Sequence, residues 1–250
     1  DEMKSLINEI SELKNTKPAS TSFLPLGVNP YIKQEGLNGN YDASLRSIIL
    51  KYIGESNLSR VTFMQLFMNE KVWFFGGFDF NQGIPKPITI PRINNTVQAF
   101  SNNVSLDRPF WFLGGLSPEP SAQEDNLKIL ITDSRAIYPQ QDEAAIKEAV
   151  RAAAKFENPD SHNPGTLDCA SCHVAQPAKM WALRQYPWFE LDLINQQEAY
   201  VSDRDLRNLS PMQPHTNIVR AFGYFMNRPF VAQRTINETA AVIKYINQKF

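Results

Sequence analysis

The sequence predicts an α+β protein, with a β-rich amino-terminal region followed by a mostly helical carboxy-terminal region. Residues 60–79 contain strand-length runs of β-branched and aromatic side chains, which favour a sheet. Residues 141–157, by contrast, have the composition and charge order of a helix. We place the boundary near residue 140, which gives a β-rich region over 1–140 and a helical region over 141–250.

Composition and charge exclude several classes of protein. The apolar share of 42% is enough for a hydrophobic core, and a formal net charge of −1 gives no sign of the basic surface that binds nucleic acid. No apolar run reaches the roughly 20 residues that a membrane-spanning helix needs. Two cysteines are too few for a scaffold held by disulfides. We therefore expect a folded chain without a nucleic-acid partner and without a transmembrane segment.

The first 54 residues predict two helices separated by a loop. Residues 2–14 place apolar side chains on one helical stripe, which we expect to pack within the chain. Residues 15–40 contain several prolines and glycines, which predict a loop. Residues 42–53 predict a second helix, with Asp42 as its N-cap and Gly54 just after its end.

The β-rich segment predicts a hairpin and further strands. Residues 60–68 and 71–79 are expected to pair through a short connection, and both faces of these runs are apolar. That pattern predicts a sheet covered on both sides. Further strands are predicted at residues 87–93, 110–116 and 127–132.

Two segments of this region are alike, Trp73-Phe-Phe-Gly-Gly-Phe78 and Trp111-Phe-Leu-Gly-Gly-Leu116. Paired glycines inside a strand indicate a bulge or a close approach of backbones. We interpret them as sites of tight sheet contact. Two copies fall short of a repeat architecture.

The carboxy-terminal region predicts a helix at each end. Residues 141–157 begin with acidic side chains and continue with basic ones, an order that suits the helix dipole. Residues 235–250 have apolar positions at helical spacing, with Asn237 as a candidate cap. The residues between these helices are expected to be mostly helical.

The chemical signature of the chain is Cys169-Ala-Ser-Cys172-His173, which contains both cysteines and one of the three histidines. Covalent attachment of haem uses two thiols at this spacing, one for each vinyl group, followed directly by an imidazole that binds the iron. The motif therefore predicts one covalently bound haem c, with His173 as an iron ligand.

Other interpretations of the motif stay open. A redox dithiol would have Cys-x-x-Cys at a helix N-terminus after a strand, and no strand-like run precedes Cys169. A structural zinc ion needs four ligands, and His162 and His215 are the only further histidines. A plain disulfide between the cysteines, or no site at all, are the remaining alternatives.

The segment from about residue 142 to residue 250 resembles a class I c-type cytochrome. That family has an amino-terminal helix, then Cys-x-x-Cys-His, then a methionine-bearing loop, and then a carboxy-terminal helix packed on the first. The counterparts in this sequence are residues 141–157, the Cys169–His173 motif, Ser210-Pro-Met212-Gln-Pro214 and residues 236–248.

The resemblance implies a second axial ligand downstream of the motif. Met212, held between prolines, corresponds to the ligating methionine of the family, and a thioether ligand raises the reduction potential. His215 would instead give a bis-histidine haem of lower potential, and His162 is a third candidate. Aromatic residues of the region are expected to surround the haem: Trp181, Tyr186, Trp188, Phe189, Phe222, Tyr224 and Phe225.

A six-coordinate haem indicates electron transfer, so we expect an electron carrier with an unidentified redox protein as its partner. Enzymatic activity would require a five-coordinate haem. Covalent attachment of this kind points to the periplasm or cell envelope of a bacterium. A second hypothesis is an envelope binding or structural protein whose haem is a staple or a sensor, because the β-rich region is larger than an electron carrier needs.

Overall fold

The structure, a computed structural model, describes residues 2–16, 29–67, 72–101, 116–117, 143–189, 198–202, 221–225 and 228–250. Within these ranges, helices and an antiparallel sheet form the amino-terminal half, and helices dominate the later part. The predicted α+β class is therefore confirmed. The predicted boundary near residue 140 lies outside the described residues.

Three helices come first along the chain, namely α1 (Glu2–Asn15), α2 (Pro30–Glu35) and α3 (Asn40–Tyr52). Helix α1 packs against α3, as expected from its apolar stripe. The Glu9 carboxylate adds polar contacts, since it accepts hydrogen bonds from Lys51 Nζ at 2.5 Å and from the Tyr52 hydroxyl at 2.8 Å.

Helix α2 lies in a segment that the sequence predicted as loop, so that prediction was wrong. The Asn29 side chain caps this helix by accepting hydrogen bonds from the backbone N–H groups of Tyr31 and Ile32. Pro30 occupies the first helical position, where a missing N–H costs nothing.

The predicted N-cap of α3 was also wrong, because the helix begins earlier and its N-cap is Gly39. Glu35 explains the shift, since its carboxylate accepts a hydrogen bond from Tyr41 N at 3.0 Å and so serves the start of the helix from α2. Asp42 lies inside the first turn, where its carboxylate accepts a hydrogen bond from Asn38 N at 3.2 Å.

The sheet contains β1 (Arg60–Phe67), β2 (Val72–Asn81), β3 (Ile84–Pro87), β4 (Val97–Ser101) and β5 (Leu116–Ser117). All pairings are antiparallel, the strand order is β1-β2-β4-β5, and β3 pairs with β2. The predicted β1–β2 hairpin is confirmed.

The strand predicted at residues 87–93 was wrong. Pro87 ends β3, and a turn follows in which Arg92 and Asn94 have φ values of 66° and 55°. Positive φ values are incompatible with an extended strand. Strand β4 was not predicted, and the strands predicted at 110–116 and 127–132 lie outside the described residues except for Leu116 in β5.

Within the described residues the sheet is covered on one face, whereas the sequence predicted cover on both. Trp73 and Phe75 point toward the helices and are 6% and 1% exposed. In the part of the chain that the structure describes, the opposite face keeps Val61, Phe63 and Phe78 about 40% exposed (41%, 40% and 38%).

The paired glycines of β2 allow close approach, as predicted. A β-carbon at Gly76 would lie 2.5 Å from Cζ of Phe63, whose ring therefore covers the glycine. A β-carbon at Gly77 would lie 2.6 Å from the carbonyl oxygen of Val61 and 3.1 Å from Cδ1 of Ile88. The second glycine pair lies outside the described residues.

Substitution of Gly77 by alanine is expected to reduce the free energy of unfolding by about 1–3 kcal/mol, because backbone atoms of β1 would have to move to admit the methyl group. Urea denaturation measures the loss. Gly54→Ala is the control, since its β-carbon would meet nothing closer than Ser56 Oγ at 3.8 Å. Equal stability of both variants would contradict the close contact.

The later part of the chain contains α4 (Glu143–Phe156), α5 (Cys169–Gln185), β6 (Phe222–Phe225), β7 (Arg228–Val231) and α6 (Gln233–Lys249). Helices α4 and α5 pack on each other through small side chains. Trp73 and Phe75 of the sheet belong to the same buried cluster, so the sheet and these helices share one continuous core.

Two features of this part differ from prediction. Strands β6 and β7 form an antiparallel hairpin in a segment expected to be mostly helical. Asn237 does not cap α6, which begins at Gln233; its side chain is buried and donates a hydrogen bond to the Glu157 carbonyl at 2.7 Å. A buried carbonyl needs such a donor, and this requirement explains the asparagine.

Helix α6 meets α4 mainly at the end of that helix. Arg234 donates hydrogen bonds to the carbonyl oxygens of Phe156, Asn158 and His162. The main helix partner of α4 in the described residues is α5. No helix in the described ranges is both long and apolar enough to cross a bilayer.

Candidate functional site

The Cys-x-x-Cys-His motif forms the start of α5, a helix of 17 residues that begins at Cys169. Asp168 is its N-cap and accepts a hydrogen bond from Ser171 N at 2.9 Å. An aspartate at this position satisfies an otherwise unpaired N–H and suits the positive end of the helix dipole. The two cysteines and the histidine are therefore held on the first turns of one regular helix.

The three motif side chains line one cavity of about 540 Å³, which lies between the sheet and the helices. A volume of this order is typical of a site for a small molecule or cofactor, for which about 300–1,000 Å³ is usual. The other walls come from β1, β2, the turn after β3, the segment before α5, and α6. They include Met64, Phe75, Ile88, Leu167 and Arg234.

The His173 ring packs against Phe75, with ring centroids 5.2 Å apart and the planes tilted by 41°. Phe75 is the central residue of a cross-strand row, because it pairs with Met64 on β1 and with Gln98 on β4. Side chains directly opposite each other on neighbouring strands lie on the same face of a sheet. One row of the sheet therefore faces the motif.

Both cysteines are free thiols with raised pKa values. Burial raises the pKa of Cys169 from 9.0 to about 11, with a further contribution from the Asp168 carboxylate. Burial raises the pKa of Cys172 to about 12. The position at a helix start fits a redox dithiol, but such sites depend on a lowered thiol pKa. Uncharged, partly buried sulfurs fit a thioether better, since a thioether carries no charge.

The raised thiol pKa values predict a pH dependence of the haem-free chain. The folded state keeps these protons more tightly than the unfolded state, whose thiols have the usual pKa of 9.0. The stabilisation is fully present below pH 9 and is lost as the pH rises through about 11 and 12.

The loss is measured as the difference in thermal unfolding between the haem-free wild type and the Cys169→Ser, Cys172→Ser double variant. That comparison removes the effect of other groups that titrate at high pH. We expect the difference to change with pH in this window, and a constant difference would contradict thiols buried in the uncharged form.

Charged groups at the cavity come from both halves of the chain. Arg60 lies at its β1 wall and forms an ion pair with Asp79, with Nε 2.5 Å from Oδ1. Arg234 lines it from α6, and the acidic residues of the described lining are Glu157, Asp168 and Glu238. Glu157 in turn is paired with Lys179 on α5.

Carboxylate oxygens without a partner mark the same cavity. Oδ1 of Asp168 and Oε1 of Glu157 are buried and accept no hydrogen bond from the described residues, although both residues line the cavity. A buried acceptor of this kind calls for a donor from water or from a ligand.

Of the three candidates for the second iron ligand, only His162 lies within the described residues. Met212 and His215 lie outside the described residues. His162 is 9% exposed, with Nδ1 3.2 Å from Thr166 Oγ1 and its ring edge-on to Phe156 at 5.3 Å. It is not among the described residues that line the cavity, although its neighbour Asn163 is.

Three of the seven aromatic residues expected around the haem lie elsewhere. Tyr186 and Phe189 stack at 4.9 Å within the core, Trp188 is 51% exposed, and none of the three lines the cavity. Among the described residues, the aromatic residues that line it are Phe63 and Phe75 of the sheet. The side chains of the other four expected residues are not among those described.

Sequence reasoning missed Phe75, Gln98 and Arg234 as neighbours of the motif. The alternation of side chains along β2 could have predicted that Phe75 lies on a buried face. The packing of that face against α5, however, is a long-range contact. Among the described residues, no group of three or more His, Cys, Asp or Glu side chains is arranged to hold a metal ion.

Comparison with known proteins gave no further guide. No protein-family model, no curated protein and no solved structure matches this chain.

Proposed function

We propose that this protein is a mono-haem c-type cytochrome that transfers electrons in the cell envelope of a bacterium. The supporting observation is that Cys169, Cys172 and His173 all line one cavity between the sheet and the helices. Covalent haem attachment requires these residue types at this spacing. The periplasmic side is proposed because this kind of attachment is typical of exported proteins. The proposed partner is a redox protein.

The residues of the cavity fit a haem in chemical type. Two thiols lie on one helical turn, and their burial favours an uncharged sulfur, as in a thioether. The neighbouring imidazole is held against Phe75. Apolar side chains such as Met64, Ile88 and Leu167 line the walls, and a dry, apolar surrounding is what keeps water from haem iron.

The roles of the chain follow from this arrangement. Cys169 and Cys172 would attach the porphyrin, and His173 would be one axial ligand. The bound haem would supply an iron that alternates between the ferrous and ferric states. Phe75 packs against the imidazole and so limits its rotation. Arg60 and Arg234 also line the cavity, where Arg60 is paired with Asp79 and the Arg234 guanidinium donates to Glu238 and to backbone carbonyl oxygens.

The second axial ligand is proposed to be Met212, with His215 as the alternative. The contacts of His162 favour a structural role for that residue, because its ring is buried against Phe156 and its Nδ1 lies within hydrogen-bond distance of Thr166. Absorption spectra of Met212→Ala and His215→Ala proteins separate the two ligands, since loss of the true ligand converts the haem to another coordination state.

The decisive test is the intact mass of the protein under denaturing conditions, after expression in a host that matures c-type cytochromes. We expect the mass of the polypeptide plus one haem, and a reduced-minus-oxidised absorption spectrum of a c-type haem. A mass equal to the polypeptide alone would overturn the proposal.

A second candidate is a binding or structural protein of the envelope in which the haem is a staple or a sensor. The observation in its favour is that the cavity has walls from both the sheet and the helices, so a haem there would join them. A reversible redox titration on the loaded protein favours electron transfer. A haem that stays in one oxidation state while raising the unfolding temperature favours the staple.

A further inference from the structure

Gln98 in strand β4 is a buried polar side chain that contacts the start of the motif helix. It is 0% exposed. Its Nε2 donates a hydrogen bond to Asp168 Oδ2 at 2.8 Å, and its Oε1 accepts a hydrogen bond from Ala170 N at 2.8 Å. Both ends of the amide are therefore used, and both bond to the first turn of α5.

A glutamine is a costly choice at this position. Burying an amide without partners is unfavourable, and the neighbours of Gln98 on the cross-strand row, Phe75 and Met64, are apolar. The cost is offset here because the acceptor is a carboxylate in a buried setting, where hydrogen bonds to charged groups are strong. A residue placed in this way fixes one arrangement of the groups that it joins.

Both hydrogen-bond partners of Gln98 lie at the Cys-x-x-Cys-His motif. Ala170 lies between the two cysteines, and Asp168 is the N-cap that also accepts from Ser171 N. Next to Gln98 on the sheet, Phe75 contacts His173. The sheet thus contacts the motif helix near its first residue and again at its histidine.

We propose that Gln98 is a positioning residue for the Cys-x-x-Cys-His turn, and that the amino-terminal β-rich region is in this way part of the haem site. Gln98 acts through Asp168 and the Ala170 amide, which set the direction of the first turn of α5 and hence of both sulfurs. The haem part of this inference rests on the proposed function; the positioning of the thiols does not.

The first test uses the haem-free full-length chain with Gln98→Met, which removes both hydrogen bonds at similar side-chain volume. Alkylation of Cys169 and Cys172, followed by mass spectrometry, reports how often the turn opens. We expect alkylation at least about tenfold faster than in the wild type, because the loss of a hydrogen bond to a charged group shifts local opening by at least that factor.

Gln65→Met is the matched control, since Gln65 is exposed and lies on the opposite face of the same sheet. We expect no change in alkylation there. Far-ultraviolet circular dichroism on each variant establishes that it is folded before the rates are compared.

A second test removes only the donor. Gln98→Glu keeps an acceptor for Ala170 N, but its carboxylate cannot donate to Asp168 Oδ2, the oxygen that also accepts from Ser171 N. Alkylation at neutral pH is expected to be faster than in the wild type. At acidic pH the protonated glutamic acid regains an O–H donor for Asp168, so its rate should return to within about threefold of the wild-type rate at the same pH. A residue that only fills space would give no such pH dependence.

The outcomes separate the two proposals. Unchanged alkylation in Gln98→Met, or a Gln98→Glu rate that does not approach the wild-type rate at acidic pH, overturns the positioning role. In the haem-maturing host, the fraction of chain that carries haem is expected to fall in Gln98→Met. If even the wild-type chain carries no haem, the proposed function fails while the alkylation result still decides the role of Gln98.

Discussion

Serine at both position 169 and position 172 is expected to abolish covalent haem completely. A hydroxyl group does not form the thioether bonds that the proposed haem attachment requires, so the Cys169→Ser, Cys172→Ser protein should have the mass of the polypeptide alone under denaturing conditions. Serine is close to cysteine in size, and the surrounding core of small side chains is retained. The measurement is the intact mass, from the same host and growth as the wild type.

Single variants provide the internal control for this prediction. Cys169→Ser and Cys172→Ser each leave one thiol on the same helical turn, so part of the chain should still carry haem through one bond. Thermal unfolding of the haem-free forms checks that the serines leave the fold intact. Haem that remains on the double variant after denaturation would contradict attachment through these sulfurs.

Replacement of Arg234 by methionine is expected to destabilise the protein by about 3 kcal/mol or more, since hydrogen bonds to a buried charge are strong and their buried acceptors would be left unpaired. The guanidinium donates to the carbonyl oxygens of Phe156, Asn158 and His162, and it pairs with Glu238. The hydrogen bonds join the first turn of α6 to the end of α4. Urea denaturation of the haem-free chain measures the loss.

Arg46→Met is the control for the loss of an arginine charge without the loss of buried hydrogen bonds. Arg46 pairs with Asp42 one turn away, but its side chain is 55% exposed, and surface pairs contribute at most about 1 kcal/mol. A small effect at Arg46 and a large one at Arg234 would show that burial and the carbonyl contacts matter. Equal effects at both positions would argue against the role assigned to Arg234.

Local patterns predicted much of the fold. The β1–β2 hairpin and the helices at both ends of the helical region were predicted because their residues show the required period within a short window. Details at element ends were predicted less well. Asp42 and Asn237 have the chemistry of caps, yet Asp42 lies inside the first turn of α3 and Asn237 bonds to the carbonyl of Glu157. A long-range partner decided the case of Asn237, whereas the nearby Glu35 carboxylate serves the start of α3 in place of Asp42.

Only the part of the candidate site whose residues are adjacent in sequence could be predicted. Cys169, Cys172 and His173 are neighbours in sequence, so their joint role is visible without a structure. Phe75 and Gln98 reach the motif through strand pairing and helix packing, and no local pattern encodes such contacts. The proposed second iron ligand, Met212 or His215, is a problem of the same kind, because both residues are far from the motif in the sequence.

The continuous core limits how this chain can be divided. A fragment that begins at residue 141 would lack Trp73 and Phe75, which share one buried cluster with Ile146 and Phe156. The surface exposed by the cut would be apolar, and such surfaces promote self-association. Residues 141–250 produced alone should therefore aggregate.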